Sequence, residues 1–180
     1  ADKTLTARKG PTPVLTRGSG ATFVNSAGLI EYAPENLLLQ SAGFSTGSWT
    51  KSGSTVTADS IASPDGTVTA DLLNEDSGLS AHFAQQTVSA SLNAGQAYTF
   101  SVFAKAGSHT SFQMTVSTLA FGSNLFANFV LTGAGSVGAS NGVNTNIQSY
   151  DNGWYRCSIT ISSVGGGANG ICIIASNNNN

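Results

Sequence analysis

One tight turn followed by an alternating run constrains the fold of this chain more than any other feature. Asn152 and Gly153 form an Asn-Gly pair, the strongest short hairpin signal, because both turn positions require a positive φ. In residues 154–162, which follow, bulky apolar side chains alternate with polar ones, which is the period of a half-buried β-strand. The inward set would be Tyr155, Cys157, Ile159 and Ile161. The segment therefore predicts an antiparallel strand that is entered through a hairpin.

The same rhythm of short strand-like runs and turns continues through most of the chain. The turn signals include Ser63-Pro64-Asp65-Gly66 and the glycine-rich residues 133–142, and no segment sustains a helical 3.6-residue period with a cap. About nine short strands at this spacing predict an all-β fold, an antiparallel β-sandwich or jelly roll. Phe100, Phe126 and Phe129 are candidate core aromatics. Whether Val102 or Phe103 faces inward depends on the strand register, which the sequence leaves open.

Composition divides the chain into an arm and a body. Residues 1–35 contain Pro11, Pro13 and Pro34 and one hairpin pattern at residues 21–32, so we expect an extended N-terminal arm with a small β-hairpin, followed by a main domain at residues 36–180. Residues 1–20 carry a net charge of 4 − 1 = +3, and the rest of the chain carries 3 − 8 = −5. The basic residues of the arm are Lys3, Arg8, Lys9 and Arg17. They are typical of a solvated terminus or of an arm that docks on a neighbouring subunit.

Two partner classes are not expected. Four arm charges without a clustered basic and aromatic face would release few counterions, so nucleic acid is not an expected partner. No apolar span of 18 residues occurs, so membrane insertion is not expected either. Cys157 and Cys172 are the only cysteines and lie in apolar runs. They predict two buried free thiols, or a bridge if their strands are neighbours.

The common catalytic motifs are absent. Residues 133–138 match G-x-G-x-x-G, but turn residues follow instead of the helix that a dinucleotide site needs, so we expect a loop between sheets. His82 and His109 are the only histidines, and we expect both at the surface or rim. No catalytic residue is therefore assigned.

Carboxylates cluster once, around the end of a predicted strand. Asp71, Glu75 and Asp76, together with Asn74, are the oxygen donors that a structural Ca²⁺ ion would use. The alternatives are a polar loop at a strand end and, less favoured, a pair of carboxylates that cleaves glycosides. Apart from this Ca²⁺ hypothesis, no cofactor is expected.

Aromatic side chains give the second candidate site. Trp49, Tyr98, Tyr150 and Trp154 could form a platform on which a sugar ring stacks. Trp49 and Trp154 could equally cover the core or cap one end of the sandwich.

Four segments resemble a family of bacteriophage virion proteins that carry a carbohydrate-binding-module-like jelly roll. Residues 36–53 are similar to its NLL-x-S…F…W-x-K-x-G opening, residues 63–71 to its PDGT-x-TAD turn, residues 98–107 to its YTFSVYAKAG strand, and residues 152–158 to its NGWYRCS hairpin. Residues 15–28 resemble the lead-in that precedes this module, so the likeness spans about residues 14–163. The family usually closes with a W-GAQLE-like strand, which residues 170–176 do not match.

The resemblance implies a jelly roll and a non-catalytic virion structural protein, such as a capsid decoration, a head or tail fibre, or a tail component. Its implied partners are other virion proteins and further copies of itself, with a trimer as one option. Its implied location is the particle surface, after assembly in the host cytoplasm. The alternative is a glycan-binding module for adsorption to the host surface, and a glycosidase or lyase is the least favoured. Because fold does not imply function, these remain expectations.

Overall fold

A computed structural model describes residues 22–33, 35–88, 91–165 and 170–176, with the backbone alone described for residues 23, 31, 32 and 170–176. The chain divides into two compact units, Ala1–Asn36 and Leu37–Asn180. In the first, β1 (Thr22–Val24) pairs antiparallel with β2 (Ile30–Tyr32), as the strand and turn pattern predicts. The arm residues Lys3, Arg8, Lys9 and Arg17 lie outside the described residues.

The second unit is built from short antiparallel strands, which confirms the predicted all-β class. They are β3 (Thr50–Ser52), β4 (Ser54–Ala62), β5 (Val68–Glu75), β6 (Phe83–Val88), β7 (Ala97–Lys105), β8 (Ser111–Val116), β9 (Phe126–Val130), β10 (Ser136–Asn141), β11 (Asn144–Ser149), β12 (Trp154–Ser162) and β13 (Gly170–Ser176). One short helix, α1 (Thr118–Phe121), follows β8. Within the described ranges, no helix has the length and apolar character needed to cross a membrane.

The strands form three sheets in this unit. One has six strands in the order β10-β9-β8-β13-β6-β3, one has three in the order β11-β12-β7, and β4 pairs only with β5 among the described strands. A single hydrophobic core takes Met114 and Phe129 from the six-stranded sheet and Phe100, Cys157 and Ile159 from the three-stranded sheet. Because both sheets contribute one face to the same core, the architecture is consistent with a β-sandwich.

The strand that follows the Asn-Gly turn forms as predicted. Asn152 and Gly153 have φ values of 60° and 77°, and the backbone N–H of Tyr150 donates to the carbonyl of Trp154 at 2.7 Å. β12 then pairs with β7 from Trp154↔Lys105 through to Ser162↔Ala97 without a bulge. The whole predicted inward set, Tyr155, Cys157, Ile159 and Ile161, is buried.

The strand register shows which of Val102 and Phe103 faces the core. Val102 lies opposite Cys157 and packs against the core, so Phe103 faces outward and is 41% exposed. Of the other candidate core aromatics, Phe100 and Phe129 are buried, while Phe126 is half-buried.

The glycine-rich residues 133–142 are not a loop throughout, which corrects one prediction. Turn residues flank β10, with positive φ at Gly133 and Gly135 before it and at Gly142 after it. β10 itself pairs antiparallel with β9 at the edge of the six-stranded sheet. A Cβ on Gly135 would lie 2.9 Å from side-chain atoms of Ile147 and Tyr155, so this glycine allows a close approach to the core. Pairing with an available strand overrides the low β-propensity of Ser, Gly and Asn.

The two cysteines lie on strands that are not neighbours. Cys157 is on β12, which pairs with β11 and β7, whereas Cys172 is on β13, which pairs with β6 and β8. The neighbouring strands on which a bridge was expected to depend are therefore not present. Cys157 is a buried free thiol, as predicted, and burial raises its pKa to about 12.

Candidate functional site

The best candidate site begins with the side of the three-stranded sheet that points away from the core. Since Cys157 and Ile159 point inward, the intervening residues of β12 point outward, and the register extends this alternation to β7 and β11. Cross-strand rows therefore run from β11 through β12 to β7. We call these nine residues the outer face: Gln148, Arg156 and Phe103; Asn146, Ser158 and Ser101; Asn144, Thr160 and Thr99.

Hydrogen-bonding groups dominate the outer face. Arg156 Nη2 donates to Ser101 Oγ at 3.2 Å, and the hydroxyls of Thr99 and Thr160 lie 2.8 Å apart. The three amide side chains of β11 are exposed and have no hydrogen-bond partner among the described residues. Such a surface can donate to and accept from a flat polar ligand that lies across the strands.

An aromatic pair stands at one end of the outer face. The rings of Phe103 and Tyr150 meet edge to face, with centroids 5.2 Å apart and planes at 82°. Both residues are 41% exposed. Phe103 is on β7 and Tyr150 follows β11, so the pair spans the central strand β12. Exposed ring faces beside hydrogen-bonding side chains can stack on the C–H-rich face of a sugar.

A cleft of about 320 Å³ lies beside this end of the sheet, and we call it the end cleft. The tip of the β4–β5 hairpin forms one wall, and the start of β12 and the end of β7 form the other. The indole N–H of Trp154 donates to the carbonyl of Ala62 at 3.2 Å, which fixes the hairpin against the sheet. Its lining residues include Ile61, Ser63, Pro64, Lys105, Asn152 and Trp154.

The structure does not bring the four predicted sugar-stacking aromatics together. Trp49 is 2% exposed, and its indole N–H donates to the carbonyl of Gln40 at 3.1 Å. Tyr98 is half-buried and points inward, with its ring edge-on to Phe121 at 6.1 Å. Trp154 is 7% exposed and forms part of the end cleft. Of the four, Tyr150 alone offers a substantially exposed ring.

Asp71, the first of the predicted calcium ligands, accepts hydrogen bonds from the backbone of two separate segments. One carboxylate oxygen accepts from the N–H of Phe44 at 2.7 Å and of Ser45 at 3.2 Å, and the other accepts from the N–H of Asp59 at 3.1 Å. Lys51 Nζ donates to the carbonyls of Phe44 and Ser45 in the same loop, at 3.3 Å each. These contacts give Asp71 a structural role in joining the loop before β3 to the β4–β5 hairpin.

Glu75 and Asp76 each lie beside a histidine. Glu75 Oε2 lies 3.1 Å from His109 Nε2, and Asp76 Oδ1 lies 3.1 Å from His82 Nε2. The N–H of Gly78 and then the His82 ring hold the pKa of Asp76 below its usual value. His82 was expected at the surface or rim, but it is buried, with its ring packed beneath Gly53. His109 is partly exposed, as expected.

The predicted calcium ligands therefore have separate partners. Asn74 donates its amide to the Thr57 hydroxyl at 3.0 Å, away from the partners of Asp71 and Asp76. The reason is the pleat: Asp71 and Glu75 are four residues apart on one strand, roughly 13 Å, and Asn74 points to the opposite side. Within the described part of the chain, no group of three or more His, Cys, Asp or Glu side chains could hold a metal ion.

Sequence reasoning missed most residues of the candidate site, including Phe103 and Lys105. Phe103 was weighed only as a core residue, and Lys105 entered only as part of a family-like strand. The alternation of β7 was visible in the sequence, but only the pairing of Val102 with Cys157 shows that Phe103 and Lys105 face outward, so no local signal could have found them.

Comparison with known proteins identified no relative of this chain. No protein-family model matches the chain, and no curated protein is significantly similar to it.

Proposed function

We propose that this protein is a non-catalytic structural component of a bacteriophage virion: a capsid decoration, a head or tail fibre, or a tail protein. Its body is a jelly roll and residues 1–35 form an extended arm that anchors it to the particle or to neighbouring subunits. The proposal places it on the particle surface, after assembly in the host cytoplasm.

The observation that carries the proposal is how the four family-like segments contact one another. Asp71, from the second segment, accepts hydrogen bonds from Phe44 and Ser45 in the first. Trp154, from the fourth, donates to Ala62 directly before the second. The third and fourth segments are the paired strands β7 and β12. Residues that carry the resemblance thus act as each other's folding partners, which supports the view that they belong to one module whose motifs serve the scaffold.

The path of the chain supports the jelly roll. It passes from one main sheet to the other after β6, β7, β10 and β12. Such alternation between two packed sheets is what a jelly roll requires. The low content of charged side chains, 9% against a usual value of about 25%, suits close packing between subunits.

The arm is tested by particle assembly. Deletion of residues 1–20 should abolish incorporation into particles. A second variant that replaces Lys3, Arg8, Lys9 and Arg17 with Gln keeps the length of the arm and isolates the effect of its charge. Unchanged incorporation of the deletion variant would contradict the anchoring role.

The oligomeric state gives a separate test. We expect the absolute mass in solution to show a trimer or larger assembly that becomes monomeric when residues 1–35 are removed. A monomer in both forms would count against a virion building block and favour the second candidate.

The second candidate is a glycan-binding module that adsorbs to the host surface, and the outer face favours it. Phe103 and Tyr150 offer exposed rings beside unpartnered amides, which is the combination that a sugar chain needs. Tyr150→Ala or Phe103→Ala should then abolish binding on a glycan array. Leu119→Ala is the control, because Leu119 is 67% exposed but lies on α1. Absence of any array signal for the unaltered protein would reject this candidate.

A further inference from the structure

Three of the four family-like segments meet at the end cleft, although they are far apart in the sequence. The turn between β4 and β5 supplies Ser63 and Pro64, the end of β7 supplies Lys105, and the turn before β12 supplies Asn152. Lys105 lies opposite Trp154 in the ladder, and its Cε is 3.7 Å from the position that a Cβ would take on Gly153. The lysine side chain therefore lies over the Asn-Gly turn and beside the cleft.

Lys105 differs from the other two cations of the body. Lys51 donates to three backbone carbonyls, and Arg156 donates to Ser101. Lys105 has no hydrogen-bond or ion-pair partner among the described residues. It is also the one charged side chain among the residues that line the end cleft. The cleft thus holds an exposed ammonium group that makes no salt bridge with a described residue.

Asn152 adds a second polar group at the same place. Its backbone has a φ of 60°, a conformation that Gly would adopt with less strain and Asn tolerates. Its side-chain amide also has no partner among the described residues. An ammonium and an amide that converge on one cleft can together hold a carboxylate.

The remaining walls of the cleft are less polar. Ile61 is 44% exposed, and Pro64 and the edge of Trp154 complete this side. The nearby carboxylate of Asp65 is turned into its own loop, where one oxygen accepts from Ser63 and from Thr67. A volume of about 320 Å³ is at the small end of ligand pockets, which holds one ring and not an extended chain.

We propose that the end cleft binds an acidic sugar residue, with its carboxylate on Lys105 and Asn152 and its ring against Ile61 and Pro64. A hydroxylated ring fits because the backbone of the hairpin turn and the Asn152 amide can bond to its hydroxyls. This site goes beyond the structural role in a virion and does not depend on it. It is also distinct from the Phe103–Tyr150 pair on the outer face.

The first test is titration of the full chain with glucuronate, glucose and acetate, followed by NMR. Glucuronate should saturate and shift the signals of the end cleft, and its affinity should fall as salt rises. Glucose should bind weakly because it lacks the carboxylate, and acetate should bind weakly because it lacks the ring. Equal binding of glucose or of acetate, or no saturable binding of glucuronate, would overturn the proposal.

Matched variants locate the site. Lys105→Gln removes the charge, and Asn152→Gly removes the amide while keeping a residue that accepts positive φ; each should weaken glucuronate binding roughly tenfold. Lys51→Gln removes a lysine charge from the same unit outside the cleft and the outer face, keeps an amide that can donate to the same carbonyls, and should leave the affinity unchanged. Unchanged binding by Lys105→Gln, or an equal loss in Lys51→Gln, would refute the site.

Particle assembly separates this inference from the structural role. Incorporation of Lys105→Gln into particles should match that of the unaltered chain, whatever the result for sugar binding. A loss of incorporation in this variant, with the fold intact, would show that Lys105 serves assembly and would overturn its assignment to a ligand.

Discussion

The β4–β5 hairpin and the β7–β12 ladder are both long antiparallel strand pairs, but they are stabilised differently. The hairpin joins residues close in the sequence, and most of its side chains are exposed, including Ile61 and Val68. The ladder joins residues between 49 and 65 positions apart and places Phe100, Cys157 and Ile159 in the core. The hairpin therefore depends on its turn, and the ladder depends on burial.

The hairpin's own bonds are mostly local and polar. Asp65 accepts from the hydroxyls of Ser63 and Thr67 at 2.7 and 2.6 Å, and the Asn74 amide donates across the pair to Thr57. A two-stranded hairpin is marginal by itself. Its described attachments, through Ser54, Asp71, Glu75 and Trp154, are polar contacts, and no described residue of β4 or β5 belongs to the hydrophobic core. We expect it to open at a lower free energy than the sandwich.

The largest difference between the regions should appear on truncating an isoleucine in each. Ile159→Ala, at a position with no exposed surface, should lower the free energy of unfolding by about 2–5 kcal/mol, because it leaves a cavity in the core. Ile61→Ala, 44% exposed on β4, should cost under about 1 kcal/mol. Chemical denaturation measures both. Equal losses would mean that the hairpin is buried in solution against a partner.

Two glycines allow a second comparison, because Gly66 lies in the hairpin turn and Gly135 packs against Tyr155 of β12. Gly66 and Gly135 both have positive φ, 87° and 81°, but a Cβ on Gly66 would meet nothing within 4 Å, whereas one on Gly135 would crowd Ile147 and Tyr155. Gly66→Ala should cost about 1–2 kcal/mol from the left-handed backbone alone. Gly135→Ala should add about 1–3 kcal/mol of overpacking to that cost. The same loss in both variants would show that the core can adjust around β10.

The smallest effect is confined to the hairpin turn and depends on pH. The Thr67 hydroxyl, then the Ser63 hydroxyl and the Thr67 amide, lower the pKa of Asp65 from 3.8 to about 2. Because the folded pKa lies below the unfolded one, this contribution to turn stability is complete above about pH 4 and is lost as the pH falls through about 2. The Thr67 amide signal in NMR should therefore titrate near pH 2.

Two controls accompany this titration. The Thr67 signal should not titrate in this range in an Asp65→Asn variant. The amides of β12 should stay unchanged over the same range, since their strand is held by burial. A Thr67 transition near pH 4 would contradict the hydrogen-bonded turn.

Part of this structure could be read from short stretches of sequence. The alternation of residues 154–162 predicted which side chains of β12 enter the core, and Ser63-Pro64-Asp65-Gly66 predicted the turn between β4 and β5. In both cases the signal and its cause lie within a few residues. Tyr150 was also named as a candidate stacking residue, but no sequence signal separated it from the candidates that proved to be buried.

Other features could not be read in this way. Residues 136–141 have the composition of a loop but form β10, because β9 offers an edge to pair with. For Trp49 the sequence left sugar stacking and a place in the core both open, and the structure buries it against Phe44. The calcium hypothesis grouped residues by closeness in sequence, whereas the pleat of β5 sends their side chains to different partners.

The local backbone was therefore a property of the sequence: a positive φ at Asn152 and Gly153, and a two-residue period in β12, follow from the side chains present. Strand order, the outward direction of Phe103 and the meeting of Lys105 with Asn152 were decided only when distant segments paired. The position of β13 between β6 and β8 was likewise decided by pairing between segments that are distant in the sequence. The physical reason is that an alternating strand specifies two faces, but only burial against a partner selects which face enters the core.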